Sequence, residues 1–376
     1  MYSDFAVVSI GVVGLGPMGR AIAYYLVRHT GHVVNGYDAS DDAINEARRI
    51  GLNNAVKADV RGDETLKRIA SENDVIISAV PQSIADQVVL RIHELGKPVI
   101  DLIFMWKYDE EIARRLSNGS IIIPAMGWAP GLTNLLAMAA ANELEVVEEV
   151  GIHVGGNPVS PKPPLYYELL FSLESTIDEY VRPATIIRDG KVVNVEPLTE
   201  IFPFQTWLVN GDFAEFYTDG LSTLLVTLPR HFRTLKNAYE RTIRWRRHLE
   251  VMSVLKDLGL LNDIETAKYV LSKSLKTGTN DFSITVVEAR GKISGETAIV
   301  RFEGVDYAQG DFTSMARLTG FTAAIVADLA ARGEIKGEGL TPIEETYMRN
   351  KAILNQVINE LKKEGIKIYK TKTIIG

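Results

Sequence analysis

The chain has 376 residues, 46% hydrophobic and 24% charged, enough for two globular domains and too many for one core of ordinary size. Its 41 Lys and Arg against 48 Asp and Glu leave a net charge of −7, which excludes general nucleic-acid binding, and the absence of cysteine excludes disulfides, thiolate nucleophiles and zinc-cysteine sites. No apolar run approaches the roughly 18 residues of a membrane helix, no basic leader precedes the first apolar run, and the six histidines are scattered, so a cytoplasmic protein with no metal site and no membrane partner is expected.

The stretch from Val8 to Leu26 joins an apolar run, a glycine cluster and a helical pattern, and predicts strand, tight turn and helix. Gly14, Gly16 and Gly19 form G-x-G-x-x-G, with Pro17 and Met18 between the second and third glycines. The first glycine makes the turn, the second admits a pyrophosphate to the backbone, and the third lets helix and strand pack closely. Free N–H groups and the positive end of the dipole favour an anion at that helix start. Ile22, Ala23 and Leu26 continue the buried face, and the next apolar run, HVVNGYD, ends on Asp38. That acid lies about twenty residues past the last glycine, where a carboxylate hydrogen-bonds an adenosine ribose. A carboxylate there repels a 2′-phosphate and no arginine adjoins it, so NAD is expected over NADP.

The alternation continues through a helix at DDAINEARRIG, a short strand at AVKADV, a helix at DETLKRIASEN, and apolar runs at 74–81, 97–104 and 120–126. This rhythm predicts a doubly wound parallel sheet, whose ligands lie beyond the carboxyl ends of the strands. Asp59, Ala79 and Pro81 join the expected cofactor set on that ground, and the stretch from Asp101 to Met105 is expected to look toward the nicotinamide. From about Glu149 the runs EVGIHVGG, LYYELLFS, ATIIRDGKVVNVEP, DFSITVVEARG and ETAIVRFEG alternate without intervening helices, and Asp189-Gly190 marks a hairpin. An α+β domain with a mainly antiparallel sheet and helices on one side is expected. Tyr239 to Leu258 reads as a helix with Leu249, Met252, Leu255 and Leu258 on one face and Gly259 as its stop. A long helix follows at GDFTSMARLTGFTAAIVADLAARG, then a terminal helix from Ile343 to Glu364 with Tyr347, Leu354, Ile358 and Leu361 on one face. The expected division is 1–126 completed by 312–376 as the Rossmann domain, and 127–311 as the substrate-binding and dimerisation domain.

The stretches WAPGLTNLLA, PKPPLYYELLFS, EYVRPATIIRDGKV, FYTDGLSTLL, RTIRWRRHLEVMSVLKDLG and SMARLTGFTAAIV resemble the saccharopine dehydrogenase-like superfamily over nearly the whole chain, most closely its NAD-dependent lysine 6-dehydrogenase family. The resemblance implies a homodimer whose second domain supplies the substrate pocket and the dimer contact. It also implies NAD-dependent oxidation of a lysine-type C–N bond, with a small amino acid as substrate. Arg246 and Arg247 stand where the family has a Pro-Gly pair.

Hydride loss from an amine needs a neutral nitrogen, and a lysine ε-ammonium has a pKa of about 10.4, so a base must remove its proton. Asp101, an acid among apolar residues, and His248 are the candidates. A planar guanidinium is the matched partner of an α-carboxylate. Arg244 is the first choice, four residues before His248 and on one face with it if both lie on a helix. Arg317 is the second. Asp219 in YTDGL is a candidate for the α-ammonium, although Asp-Gly is first a turn signal. A saccharopine dehydrogenase or reductase, and a non-catalytic NAD-binding subunit, are the alternative functions.

Overall fold

The computed structural model describes residues 6–103, 114 and 116–375. The expected leaderless start MYSDF, and Phe104 and Met105 at the end of the fifth apolar run, lie outside them. The chain divides into two compact units, Met1–Leu135 with Ala316–Lys363, and Leu136–Met315 with Glu364–Gly376.

The first unit holds six parallel strands, β1 (Ser9–Val13), β2 (Val33–Asp38), β3 (Ala55–Lys57), β4 (Val75–Ser78), β5 (Val99–Asp101) and β6 (Ile122–Ile123), in the order β3-β2-β1-β4-β5-β6. Neighbours run parallel throughout, as strands joined by crossover helices do. Those after the first four strands are α1 (Pro17–His29), α2 (Asp41–Arg49), α3 (Asp63–Glu72) and α4 (Gln82–Glu94). This is the Rossmann order, with its switch point between β1 and β4. Ile22, Ala23 and Leu26 of α1 are fully buried, as the apolar spacing predicts.

The second unit is a nine-stranded mixed sheet with the path β10-β11-β12-β7-β13-β14-β15, where β7 is Val146–Pro158, β10 Ile201–Phe204, β11 Phe213–Thr218, β12 Asn237–Trp245, β13 Asp281–Ile293, β14 Glu296–Tyr307 and β15 Lys367–Ile375. The hairpin β8 (Ala184–Arg188) and β9 (Lys191–Val195) joins at β12, turning at Asp189 and Gly190 with φ of 52° and 73°. Both turn residues are left-handed, as a two-residue I′ hairpin requires. Every pairing in the path is antiparallel except β12 with β7. Helices α6 (Leu173–Val181), α8 (Arg246–Asp257) and α9 (Ile264–Ser272) bury Ile177, Tyr180, Leu249, Met252, Ala267 and Leu271 in one core with Ala214 and Phe216 of β11. The other helices among the described residues are α5 (Leu132–Ala141), α7 (Leu224–His231), α10 (Ser314–Ala331), α11 (Ile343–Arg349) and α12 (Ala352–Lys363).

Four expectations are corrected. Tyr239 to Trp245 is strand, not helix: β12 lies between β11 and β7 and buries Glu240, Thr242 and Arg244 on one face, so polar side chains hide the strand's alternation. The helix α8 starts only at Arg246, and Leu258 is exposed beyond its end although Gly259 stops it with φ of 73°. LYYELLFS forms no strand. The terminal helix breaks at Asn350, which closes α11 and whose Oδ1 accepts from the Ala352 N–H to start α12, and the buried face there is Ile353, Val357 and Leu361. The last residues do not complete the first unit either, because β15 pairs along nine positions with β14. Among the described residues no helix is long and apolar enough to cross a membrane.

Candidate active site

In the first unit, the turn between β1 and α1 has the shape its glycines predict. Gly14 takes φ of +90°, and a Cβ there would sit 2.5 Å from the Ala79 carbonyl oxygen. A Cβ on Gly19 would sit 1.8 Å from the Gly14 oxygen, so the third glycine is fixed by backbone packing. A Cβ on Gly16 would meet nothing within 4 Å, the open approach a pyrophosphate needs. Pro17 occupies the first helical position, where its missing N–H costs nothing, and no side chain caps the helix, which leaves the Met18 and Gly19 amides for an anion. These features fit a dinucleotide.

Asp38 ends β2 and accepts from the Leu15 N–H at 2.6 Å and from the Ser40 N–H at 2.8 Å. The first bond ties the acid to the glycine turn, and each carboxylate oxygen keeps a further lone pair for a ribose hydroxyl. Asp59 follows β3, exposed and paired with Arg61 at 2.6 Å, and this guanidinium holds its carboxyl down at about 2. Lys57 is likewise taken by Asp41 at 2.6 Å. These two cations thus have acidic partners, while Arg20, on α1, donates from Nη1 to the Leu15 carbonyl at 3.1 Å. Ala79 donates its N–H to Val13 at 2.8 Å, and Pro81 starts α4, so both stand at the carboxyl end of β4. Asp101 closes β5 fully buried, its Oδ2 accepting from the Ile103 N–H at 3.0 Å. Arg317, on α10, is buried with its guanidinium 5.4 Å from the centre of the Phe321 ring.

In the second unit Arg244 and His248 come together through a third residue. Arg244, only 2% exposed, leaves β12 and donates from Nε to the Tyr180 hydroxyl at 3.3 Å, while that hydroxyl lies 2.8 Å from His248 Nε2. His248 Nδ1 lies 2.6 Å from the Leu165 carbonyl oxygen. A guanidinium only donates and a carbonyl only accepts, so the chain has one direction: Arg244 to Tyr180, Tyr180 to His248 Nε2, His248 Nδ1–H to Leu165. Burial drives the His248 pKa down to about 3, opposed by the Leu165 bond and assisted by the Arg244 charge. Both ring nitrogens are committed in a neutral imidazole, so His248 offers no lone pair to a substrate in this arrangement. The shared helix face expected for Arg244 and His248 is absent: one is in a strand, the other in the first turn of α8.

Arg244 Nη2 meets Glu179 Oε2 at 2.6 Å, Nη1 bonds the Ile243 and Gly156 carbonyls at 3.1 and 3.5 Å, and Tyr167 lies under the guanidinium at 5.0 Å. Asp219 is occupied elsewhere, accepting from the Thr185 N–H at 3.2 Å and pairing with Arg182 at 3.4 Å. Arg246 pairs with Asp212 at 2.7 Å, and Arg247 donates to the Tyr166 hydroxyl at 3.4 Å. Sequence reasoning missed Glu179, Tyr180 and the buried Glu240, whose carboxyl burial raises to about 8. Ile177 and Tyr180, three apart in DEY-containing α6, carried a helical signal for the first two, whereas nothing local marks Glu240 as buried. Among the described residues no group of three His, Asp or Glu is placed to hold a metal.

A family model described as the saccharopine dehydrogenase C-terminal domain matches residues 127–366, and one described as the NAD binding domain of 6-phosphogluconate dehydrogenase matches 9–160. The Saccharomyces cerevisiae saccharopine dehydrogenase [NADP(+), L-glutamate-forming] is 23% identical over 229 residues, 59% of this chain and 51% of that one. The Bos taurus mitochondrial alpha-aminoadipic semialdehyde synthase is 23% identical over 266 residues, 67% of this chain and 28% of that one. The chain therefore spans about half of the yeast relative's length and less of the bovine one's. The solved structure of apo saccharopine dehydrogenase (L-Glu forming) from Saccharomyces cerevisiae shares the fold, with a TM-score of 0.79 at 18% identity over 98% of this chain and 100% of that one. Because the first model spans well over half of its 376 residues, the chain belongs to the saccharopine dehydrogenase-like family of oxidoreductases.

Proposed function

We propose that this protein uses NAD to oxidise the ε-amine carbon of L-lysine, with water and the resulting iminium giving 2-aminoadipate 6-semialdehyde and ammonia. The observation that carries the reading is the combination, in one chain, of an acid-closed glycine turn and a second unit of the saccharopine dehydrogenase family. The relatives are named for saccharopine and for 2-aminoadipate semialdehyde, both lysine-derived, which supports a lysine-type C–N bond as the target.

NAD is favoured over NADP because Asp38 is anchored beside the turn and because Arg61 and Lys57 are paired with Asp59 and Asp41. Gly14, Gly16 and Gly19, with the amides of Met18 and Gly19, would hold the pyrophosphate, and Asp38 the adenosine ribose. When bound, the cofactor supplies the hydride acceptor. Asp101 is the base of this reading, since it stands at the carboxyl end of β5 and His248 is committed to Tyr180 and Leu165. It takes the ammonium proton before hydride loss and assists water afterwards. Arg244 serves the α-carboxylate. Arg317, the second guanidinium considered for that role, lies on α10 over Phe321 and stays the reserve candidate. A cytoplasmic homodimer completes the reading, its mass checked by sedimentation.

A saccharopine dehydrogenase is the second reading, favoured by the name of the yeast relative and by its shared fold. Purified protein is given NAD with L-lysine, NAD with saccharopine, and NADH with lysine plus 2-oxoglutarate. NADH formed from lysine alone supports the proposal. Turnover only with saccharopine, or only with the keto acid present, replaces it by the second reading.

A further inference from the structure

The geometry points to Glu179 as the residue that receives the α-ammonium of an amino-acid substrate, with Arg244 and Glu179 acting together as a clamp for the zwitterion. The inference deepens the proposed function and rests on its assignment of an amino-acid substrate.

It follows from counting donors and acceptors. A guanidinium has five N–H bonds. In Arg244 the Nε–H goes to Tyr180, the two Nη1 hydrogens to Ile243 and Gly156, and one Nη2 hydrogen to Glu179 Oε2. One Nη2–H is left with no partner among the described residues. On Glu179, Oε2 takes Arg244, and Oε1 has no partner there either. The Glu179 side chain is 24% exposed while that of Arg244 is 2% exposed, so the pair opens on the glutamate's side. An open donor of a cation thus adjoins an open acceptor of an anion. An α-amino acid carries the complement on neighbouring atoms, a carboxylate for the Nη2–H and an ammonium for Oε1, and the internal ion pair need not break.

The guanidinium is also held in orientation, by Tyr180, two carbonyls and the Tyr167 ring, so its open N–H has a fixed direction. Asp219, the other acid considered for this role, has its two oxygens on Thr185 and Arg182. Asp178 is occupied by Arg182 at 3.0 Å. Glu240 lies under Gly220 and bonds Thr218 at 3.4 Å, away from solvent. Glu179 is the acid of this group with an exposed oxygen beside the guanidinium.

The test uses ligands that cannot react at the ε position. L-Norleucine has both α groups and no ε-amine, and hexanoate has the carboxylate alone. Calorimetry on the NAD-loaded wild type should show norleucine bound about tenfold or more tighter than hexanoate, the effect of one charge-assisted bond. Glu179→Gln keeps an acceptor for Arg244 and removes the charge, so it should erase most of that preference while hexanoate binding stays within about threefold. Glu179→Asp, which keeps the charge and shortens the arm, should reduce the preference and serves if the Gln variant does not fold. Asp219→Asn should leave it unchanged. A norleucine preference that survives both Glu179 variants, one that vanishes in Asp219→Asn instead, or no preference in the wild type overturns the clamp. Lysine oxidation with such a surviving preference would sink the clamp and keep the reaction; a Glu179-dependent preference without lysine oxidation would do the reverse.

Discussion

Asp38 and Glu179 are both carboxylates held by internal hydrogen bonds, yet they are built in opposite ways. Asp38 is fastened by a backbone N–H of the glycine turn, so its place is set by local chain geometry and it faces a cradle that packing has left open at Gly16. Glu179 is fastened by a buried side chain from a strand 65 residues away, inside a web that also binds Tyr180, Tyr167 and His248. The first arrangement waits for a ligand with its backbone amides free. The second has most of its polar atoms satisfied, and among the described residues one Arg244 N–H, Glu179 Oε1 and the Tyr167 hydroxyl are left without a partner. On the proposed function, Asp38 serves the cofactor and Glu179 serves recognition of the amino acid. Substitutions should therefore separate into those that alter turnover or cofactor use and those that alter the amino-acid KM.

The largest separation is expected at Asp101. Asp101→Asn keeps the shape of a fully buried residue and removes the base, so kcat for lysine should fall by about 10²–10⁴ with little change in KM. Full activity across the pH range would move the base elsewhere. Next is Gly19→Ala, whose methyl would meet the Gly14 oxygen and force the turn apart. NAD affinity should drop by about tenfold or more, with a stability loss of about 1–3 kcal/mol, read by titration and by melting. Retained NAD affinity would contradict the packing role of the third glycine.

Arg244→Lys keeps a charge and loses the fork, so the amino-acid KM should rise by about tenfold while NAD binding is untouched. An unchanged KM would place the carboxylate site elsewhere. For Asp38→Ala the ratio of kcat/KM for NAD over NADP should fall, because the repulsion of a 2′-phosphate is removed. A wild type that already prefers NADP would refute the cofactor assignment.

The smallest effect concerns stability. Glu240 keeps its proton in the folded chain up to about 8, above the 4.5 of an ordinary glutamate. The folded state then holds more protons than the unfolded one across that window, and stability contributed below 4.5 is lost as pH rises through 8. Glu240→Gln, the neutral isostere, should melt progressively higher than the wild type as pH goes from 5 to 8, by roughly 2–4 °C for each kcal/mol relieved. His248 runs the other way. Its folded pKa of about 3 lies below the usual 6.5, so its contribution is complete above 6.5 and is lost as pH falls toward 3. A pH-independent difference between wild type and Glu240→Gln would contradict a protonated Glu240.

Legibility in the sequence follows the same contrast. The first unit was readable because parallel strands buried on both faces are short apolar runs, and because turn, acid and helix lie in one stretch from Val8 to Asp38. The second unit was readable where β-branched residues alternate, as in β13 and β14, and misread in β12, where Glu240, Thr242 and Arg244 occupy the buried face. β15 escaped notice because its side chains are almost all exposed and its place depends on β14. Arg244 and His248 were singled out, but their link through Tyr180 and the role of Glu179 depend on contacts more than sixty residues apart.

The most direct test is stoichiometry. Wild-type protein is incubated with NAD and L-lysine as the only organic substrates, and NADH and free ammonia are measured together. The account predicts that both appear, one for one, without any keto acid. NADH without ammonia, or no reaction until saccharopine is supplied, would contradict it.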